Sequence, residues 1–186
     1  MENKIISVNL PVQIHDTNND IWTPEVRKYC DDFVDVQNHS TNVKADMSGW
    51  KIWEETNLFH DFLTNVAERV NNHPWAEHIG AWHIRDAWLA RYKEGESTIL
   101  HNHLPSLLSF VYFLKCSEKS SPLSLEGVDI EAKEGRLIIF PALMMHNVSA
   151  TPAERIILAG NIQKAPLSPE NAQVFLAELD ELLRKV

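Results

Sequence analysis

The chain has 186 residues, 17 of them Lys or Arg against 26 Asp or Glu, for a formal net charge of −9. That length suits one domain with a real core and is short for two, and 44% hydrophobic with 23% charged residues is the composition of a globular protein. The acidic balance makes nucleic acid an unfavoured partner, because neutralising phosphates along a broad face needs clustered Lys and Arg.

The longest apolar run, Leu137 to Met145, contains Pro141 and is far shorter than the about 20 residues a membrane-spanning helix needs. Residues 1–10 lack a charged-then-apolar signal pattern. Cys30 and Cys116 stand far apart with no CxxC partner, so neither a disulfide framework nor a thiolate metal site is indicated. The expectation is a reduced, cytoplasmic protein without a membrane partner.

In chain order, the first region reads as helix and loop. Thr23 before Pro24 offers a capping hydroxyl and a proline at the first helical position, and Val26, Tyr29, Cys30, Phe33 and Val34 follow at helical spacing. A second helix fits Asn57 to Val70, with Phe59, Phe62, Leu63, Val66 and Val70 on one face. The rhythm then changes to short strands: a segment in which Trp88, Ala90 and Tyr92 alternate with Leu89 and Arg91, then Thr98–His103, Leu107–Leu114, Leu123–Leu125, Val128–Ala132, Arg136–Phe140 and Arg155–Asn161. Short strands this closely spaced suggest an all-β sandwich or barrel. A last helix is expected from Ser168, which caps, and Pro169, with Val174, Phe175, Leu179, Leu182 and Leu183 as its stripe. No linker separates these parts, so residues 1–186 are read as one domain. It comprises a β core over about 80–165, a helical and loop region over 1–79, and a C-terminal helix over 168–186.

The sharpest local feature is His101-Asn102-His103. On a strand, residues i and i+2 share a face, and two imidazoles side by side suit a transition metal; a polar turn with chance histidines is the plainer reading of the tripeptide alone. His146 follows the glycine turn, apolar strand and proline bend of Gly135 to Pro141. By itself it is an ordinary loop residue, but with the first pair it supplies a distant third ligand. Arg155 opens an apolar strand and shares a face with Ile157, Ala159 and Asn161. Pointed inward, its charge needs a partner such as a bound carboxylate; pointed outward, it is a solvated residue.

Tyr92-Lys-Glu-Gly95, His101-Asn102-His103, the strand Ser109 to Leu114, Gly135…Phe140-Pro141, His146 and Arg155 together resemble the iron(II)- and 2-oxoglutarate-dependent oxygenases. Within them the chain is most similar to a bacterial and phage branch that carries a Gly-Trp segment upstream, as in Ser48-Gly49-Trp50, and His-x-His before a Ser-x-Val-Tyr-Tyr-Leu-like strand. The likeness runs from about Met47 to Asn161; the order and spacing of its parts are specific together, and none is so alone.

The resemblance implies a mainly β fold with flanking helices, a double-stranded β-helix or cupin-like jelly roll. It implies Fe(II) and 2-oxoglutarate as cofactor and cosubstrate, and a reaction releasing succinate and CO2 while hydroxylating a small molecule or a peptide side chain. His101 and His146 match the first and distal iron ligands, and Arg155 the grip on the far carboxylate of 2-oxoglutarate. Tyr92 matches a cosubstrate-pocket tyrosine, Ser109 adds a hydroxyl, and Asn161 is placed to touch cosubstrate or substrate. Two departures stand out: His103 occupies the position where the family has an acid, and Phe113 the position where prolyl-hydroxylase-like members have a tyrosine. Either three histidines bind the metal, or His101 and His146 bind it with water; the three-histidine set is preferred.

His15, His39, His60, His73, His78 and His83 are not assigned to the metal. Trp50, Trp82 and Trp88 suit either a substrate entrance or the core. Two other functions compete. A cupin-type metal enzyme without 2-oxoglutarate gains from Gly135…Pro141…His146, but Leu143 stands where that motif wants glycine and no glutamate follows His103 at the expected distance. A non-catalytic binding domain on the same scaffold gains from the missing acid. A homodimer through the outer helices is left open.

Overall fold

A computed structural model describes residues 9–76 and 80–165. The helix expected over 168–186 and His78 lie outside the described residues. Among the described residues three helices, α1 (Pro24–Asp32), α2 (Ile52–Glu55) and α3 (His60–Asn71), accompany eleven strands. These are β1 (Gln13–Asp16), β2 (Val43–Lys44), β3 (Asp46–Met47), β4 (Trp82–Tyr92), β5 (Ser97–His101), β6 (Leu108–Lys115), β7 (Leu123–Leu125), β8 (Val128–Ile130), β9 (Arg136–Pro141), β10 (His146–Val148) and β11 (Arg155–Lys164). They form two antiparallel sheets, ordered β1-β9-β6-β11-β4-β3 and β2-β5-β10-β7-β8. This is the expected jelly roll. No described helix is long and apolar enough to cross a membrane.

The larger sheet is buried on both faces. Along β6, Phe110, Tyr112 and Leu114 face a core shared with α1 and α3, whereas Val111 and Phe113 face the space between the sheets. β11 divides the same way, with Ile156, Leu158 and Ile162 on the helical side and Ile157 and Ala159 inside. Double burial is why both segments read as continuous apolar runs rather than as strict alternation. Each large side chain sealed there contributes about 1.5–3 kcal/mol.

Local signals place the helices with small differences. Thr23 Oγ1 accepts the Val26 amide at 3.3 Å, as an N-cap should. Val34 does not join the apolar face of α1: the helix stops at Asp32, and Val34 is 75% exposed. The region before residue 80 is more than helix and loop. β1 adds to β9, β2 to β5 and β3 to β4, so it completes edges of both sheets. Ser48 continues that edge, accepting the Leu89 amide at 2.9 Å through Oγ, and the Trp50 carbonyl takes the Ala87 amide at 2.9 Å.

Gly160 is fixed by its neighbours in the sheet. A Cβ there would sit 2.5 Å from the Asp86 carbonyl oxygen and 2.7 Å from the Phe110 ring. Gly160→Ala is expected to lower stability by about 1–3 kcal/mol in urea unfolding, whereas Ala at the exposed Ile99 changes it little.

Candidate metal centre and its surroundings

Two of the candidate histidines face each other as a register pair. His101 ends β5, His146 opens β10, and the antiparallel pairing sets them opposite, with ring centroids 4.2 Å apart. His103 lies beyond the end of β5, so the strand rule that grouped it with His101 does not hold it in place. Its amide donates to the Ala142 carbonyl at 2.8 Å, which ties this turn to the loop before β10. The ring comes within 4.8 Å of both others, centroid to centroid. One ligand-capable atom from each lies within 4.8 Å of the others.

The hydrogen bonds choose the tautomers. His101 Nδ1 sits 2.8 Å from the Ile99 carbonyl and His146 Nδ1 3.1 Å from the Met144 carbonyl. A carbonyl only accepts, so each Nδ1 carries the proton and each Nε2 keeps its lone pair. Burial, reinforced by the neighbouring imidazoles, holds His103 down to about 3 and His146 down to about 4; burial also lowers His101. Three neutral imidazoles in one place are the protonation state a transition metal needs. Among the described residues no carboxylate joins this set.

Arg155 points inward, 1% exposed. Its guanidinium lies 4.4 Å over the Tyr92 ring and 5.6 Å from that of Phe113, and Nη1 donates to the Ser121 carbonyl at 2.9 Å. Nε is buried with no hydrogen-bond partner among the described residues. Burial pushes the group below its ordinary value, opposed chiefly by Tyr92. Tyr92 itself is held by a 2.7 Å hydroxyl contact with Thr98. Phe113, with no hydroxyl, offers this cavity only its ring. Along β11, Arg155 pairs with Tyr92 and Ala159 with Trp88, whose ring is 6.0 Å from that of His103. The backbone positions of Arg155 and Ala159 are thus about 13 Å apart along the strand at 3.3 Å per residue.

Ser109 and Asn161 do not stand beside Arg155. Ser109 Oγ donates to Asn161 Oδ1 at 2.7 Å, and Asn161 Nδ2 donates to Asp86 Oδ1 at 2.7 Å. The three are register partners across β6, β11 and β4, forming a polar ladder that ends at a cleft containing His103. Asp86 was not singled out from the sequence, since no local motif marks it. Trp50 reaches that cleft and packs edge-on against Trp88 at 5.0 Å. Trp82, by contrast, packs on the helical side of the larger sheet, away from the entrance.

A second set within ligand reach, Asp35, His39 and Asp46, has its own partners. Asp35 Oδ1 accepts the amides of Gln37, Asn38 and Met47, and Asp46 pairs with Arg91 and Lys93 at 3.0 and 2.9 Å. It is an ion-pair hub tying β3 to β4. His60 is solvated, and His73 is buried with Nδ1 accepting the Trp75 amide at 3.2 Å.

No family model matches the chain, and no curated protein matches it in sequence. Solved structures do match. A Pseudomonas putida prolyl-4-hydroxylase aligns with TM-score 0.66 at 17% identity, over 84% of this chain and 93% of that one. A viral collagen prolyl hydroxylase from Paramecium Bursaria Chlorella virus-1, solved with 2-oxoglutarate, aligns with TM-score 0.65 at 15% identity, over 83% and 96%. HygX from Streptomyces hygroscopicus, solved with nickel and 2-oxoglutarate, aligns with TM-score 0.64 at 8% identity, over 84% of each chain. What these proteins share with this chain is the fold.

Among the described residues no carboxylate pairs with Arg155, and a buried guanidinium lacking a counter-ion costs stability. Arg155→Met is therefore expected to leave the ligand-free protein as stable or up to about 4 kcal/mol more stable, measured by chemical unfolding. A loss beyond about 1 kcal/mol would contradict the reading of Arg155 as an uncompensated charge.

Proposed function

We propose that the chain is an iron(II)- and 2-oxoglutarate-dependent dioxygenase that hydroxylates a small molecule or a peptide side chain. The observation that carries the reading is the pairing, inside one jelly roll, of three neutral imidazoles with a buried arginine whose Nε is unpartnered. Both halves fit the groups they would hold. Three nitrogen donors on one side suit iron(II) and leave positions for a chelating acid and oxygen. The guanidinium offers the fixed donors that a carboxylate takes. The neighbours solved with 2-oxoglutarate or with a metal share this fold.

When bound, iron(II) with 2-oxoglutarate supplies the oxidation: one oxygen atom goes to succinate as CO2 leaves, and the other enters a C–H bond of the substrate. The protein's own part is placement and charge. His101, His103 and His146 would hold the metal through Nε2 or an equivalent nitrogen, with His101 and His146 aimed by their Nδ1 bonds to backbone carbonyls. Arg155 would hold the far carboxylate, with Tyr92 beneath the guanidinium and Phe113 beside it closing the pocket to water. With no acid in the donor set, the site keeps one more positive charge than a His-x-acid centre, which favours anionic ligands.

A cupin-type enzyme without 2-oxoglutarate is favoured by the Gly135…Pro141…His146 spacing and by the all-histidine donor set, but it leaves Arg155 unexplained. Anaerobic addition of iron(II) and 2-oxoglutarate is expected to give a visible charge-transfer band at one equivalent of each. His146→Ala should weaken metal binding by more than about 100-fold. Arg155→Met should keep the metal and lose about 2–5 kcal/mol of 2-oxoglutarate affinity, by calorimetric titration. Metal binding with no band would favour the cupin reading, and an undiminished band in Arg155→Met would remove Arg155 from the site.

A further inference from the structure

We propose that the cleft beside His103 binds a free α-amino acid, its ammonium on Asp86 and its carboxylate on Arg85. The reaction carried out on that substrate rests on the oxygenase reading above; the binding does not. The cleft holds about 480 Å³, and Trp50, Arg85, Asp86, His103, Leu104 and Asn161 are among its walls. That volume is in the range of small-molecule sites.

The wall chemistry selects the ligand. Arg85 Nε and Asp86 Oδ2 stand 3.4 Å apart, a guanidinium and a carboxylate side by side in one concave surface. An α-amino acid carries the complementary pair, an ammonium and a carboxylate on the same carbon. Asp86 is held for this task. Its Oδ1 takes the Asn161 amide, Asn161 in turn takes the Ser109 hydroxyl, each at 2.7 Å, and its side chain is only 14% exposed. A carboxylate has about four lone-pair sites, so the ladder orients Asp86 without using it up. Arg85, 47% exposed at the side chain, is ion-paired to Asp86 through Nε alone, so its two terminal nitrogens, which make no side-chain hydrogen bond among the described residues, are left to face an incoming carboxylate.

Trp50 and Leu104, 44% and 62% exposed, line the same cleft and offer an apolar surface to the amino acid's side chain. His103, also in the wall, brings that side chain next to the imidazole cluster. The interior of a peptide carries neither charged end, so it would leave Asp86 and Arg85 facing amide groups. A nucleotide would set its phosphates against Asp86.

Calorimetric titration of the twenty free L-amino acids tests this, into metal-free protein and into protein loaded with cobalt(II) and 2-oxoglutarate. At least one is expected to bind, and its N-acetyl and its carboxamide derivatives to bind about tenfold to 100-fold more weakly. Asp86→Asn, which keeps the acceptor for Asn161, should bind the free and N-acetyl forms alike, and Arg85→Gln the acid and carboxamide alike. The proposal is overturned if no free amino acid binds, or if the blocked derivatives bind as tightly as the free ones. An amino acid bound by protein that takes up neither metal nor 2-oxoglutarate upholds the site and defeats the oxygenase reading; metal and 2-oxoglutarate bound with no amino acid does the reverse.

Discussion

A positive charge sealed between two sheets organises this molecule. Taking a guanidinium out of water costs several kcal/mol unless something answers it. Here the answer is partial: one carbonyl, at Ser121, and the faces of two aromatic rings. The fold tolerates this because Arg155 begins β11, which is hydrogen-bonded on both sides by β4 and β6.

The second core makes such an interior affordable to the fold. Phe110, Tyr112, Leu114, Ile156 and Leu158 anchor the larger sheet to α1 and α3 on its outer face. Adhesion is thereby supplied from outside, and the inner face is released to carry Ser109, Arg155 and Asn161 among its apolar residues. The small sheet contributes the histidines from the other side, at β5 and β10. Polar chemistry is placed where two sheets meet but where only one is needed for cohesion.

What could be read from the residues follows the range of the forces involved. Thr23-Pro24 marked the start of α1 because capping is settled within a turn. Arg155 and Asn161 were assigned to one face because strand alternation is local, and the structure turns both inward. The same rule grouped His103 with His101, yet the strand ends at His101, and it is the bond from the His103 amide to Ala142 that sets its place. Asp86 was invisible for the opposite reason: its partner Asn161 is 75 positions away, and only the register of β4 on β11 joins them. The early edge strands were missed likewise, since Gln13 to Asp16 acquires its form from β9 rather than from its own pattern. Val34 sat in phase with α1 but past its end, because periodicity does not say where a helix stops.

The opposition of His101 and His146 across β5 and β10 has a consequence for the lifetime of the protein. β10 is three residues long and is paired through few backbone bonds. An ion gripped by both imidazoles would act as a clasp between the two strands, since a ligand that binds only the closed arrangement suppresses opening in proportion to its occupancy. Under the oxygenase reading, a shortage of iron would then do more than silence the enzyme: it would loosen the small sheet at β10, its central strand, and open that segment to proteases.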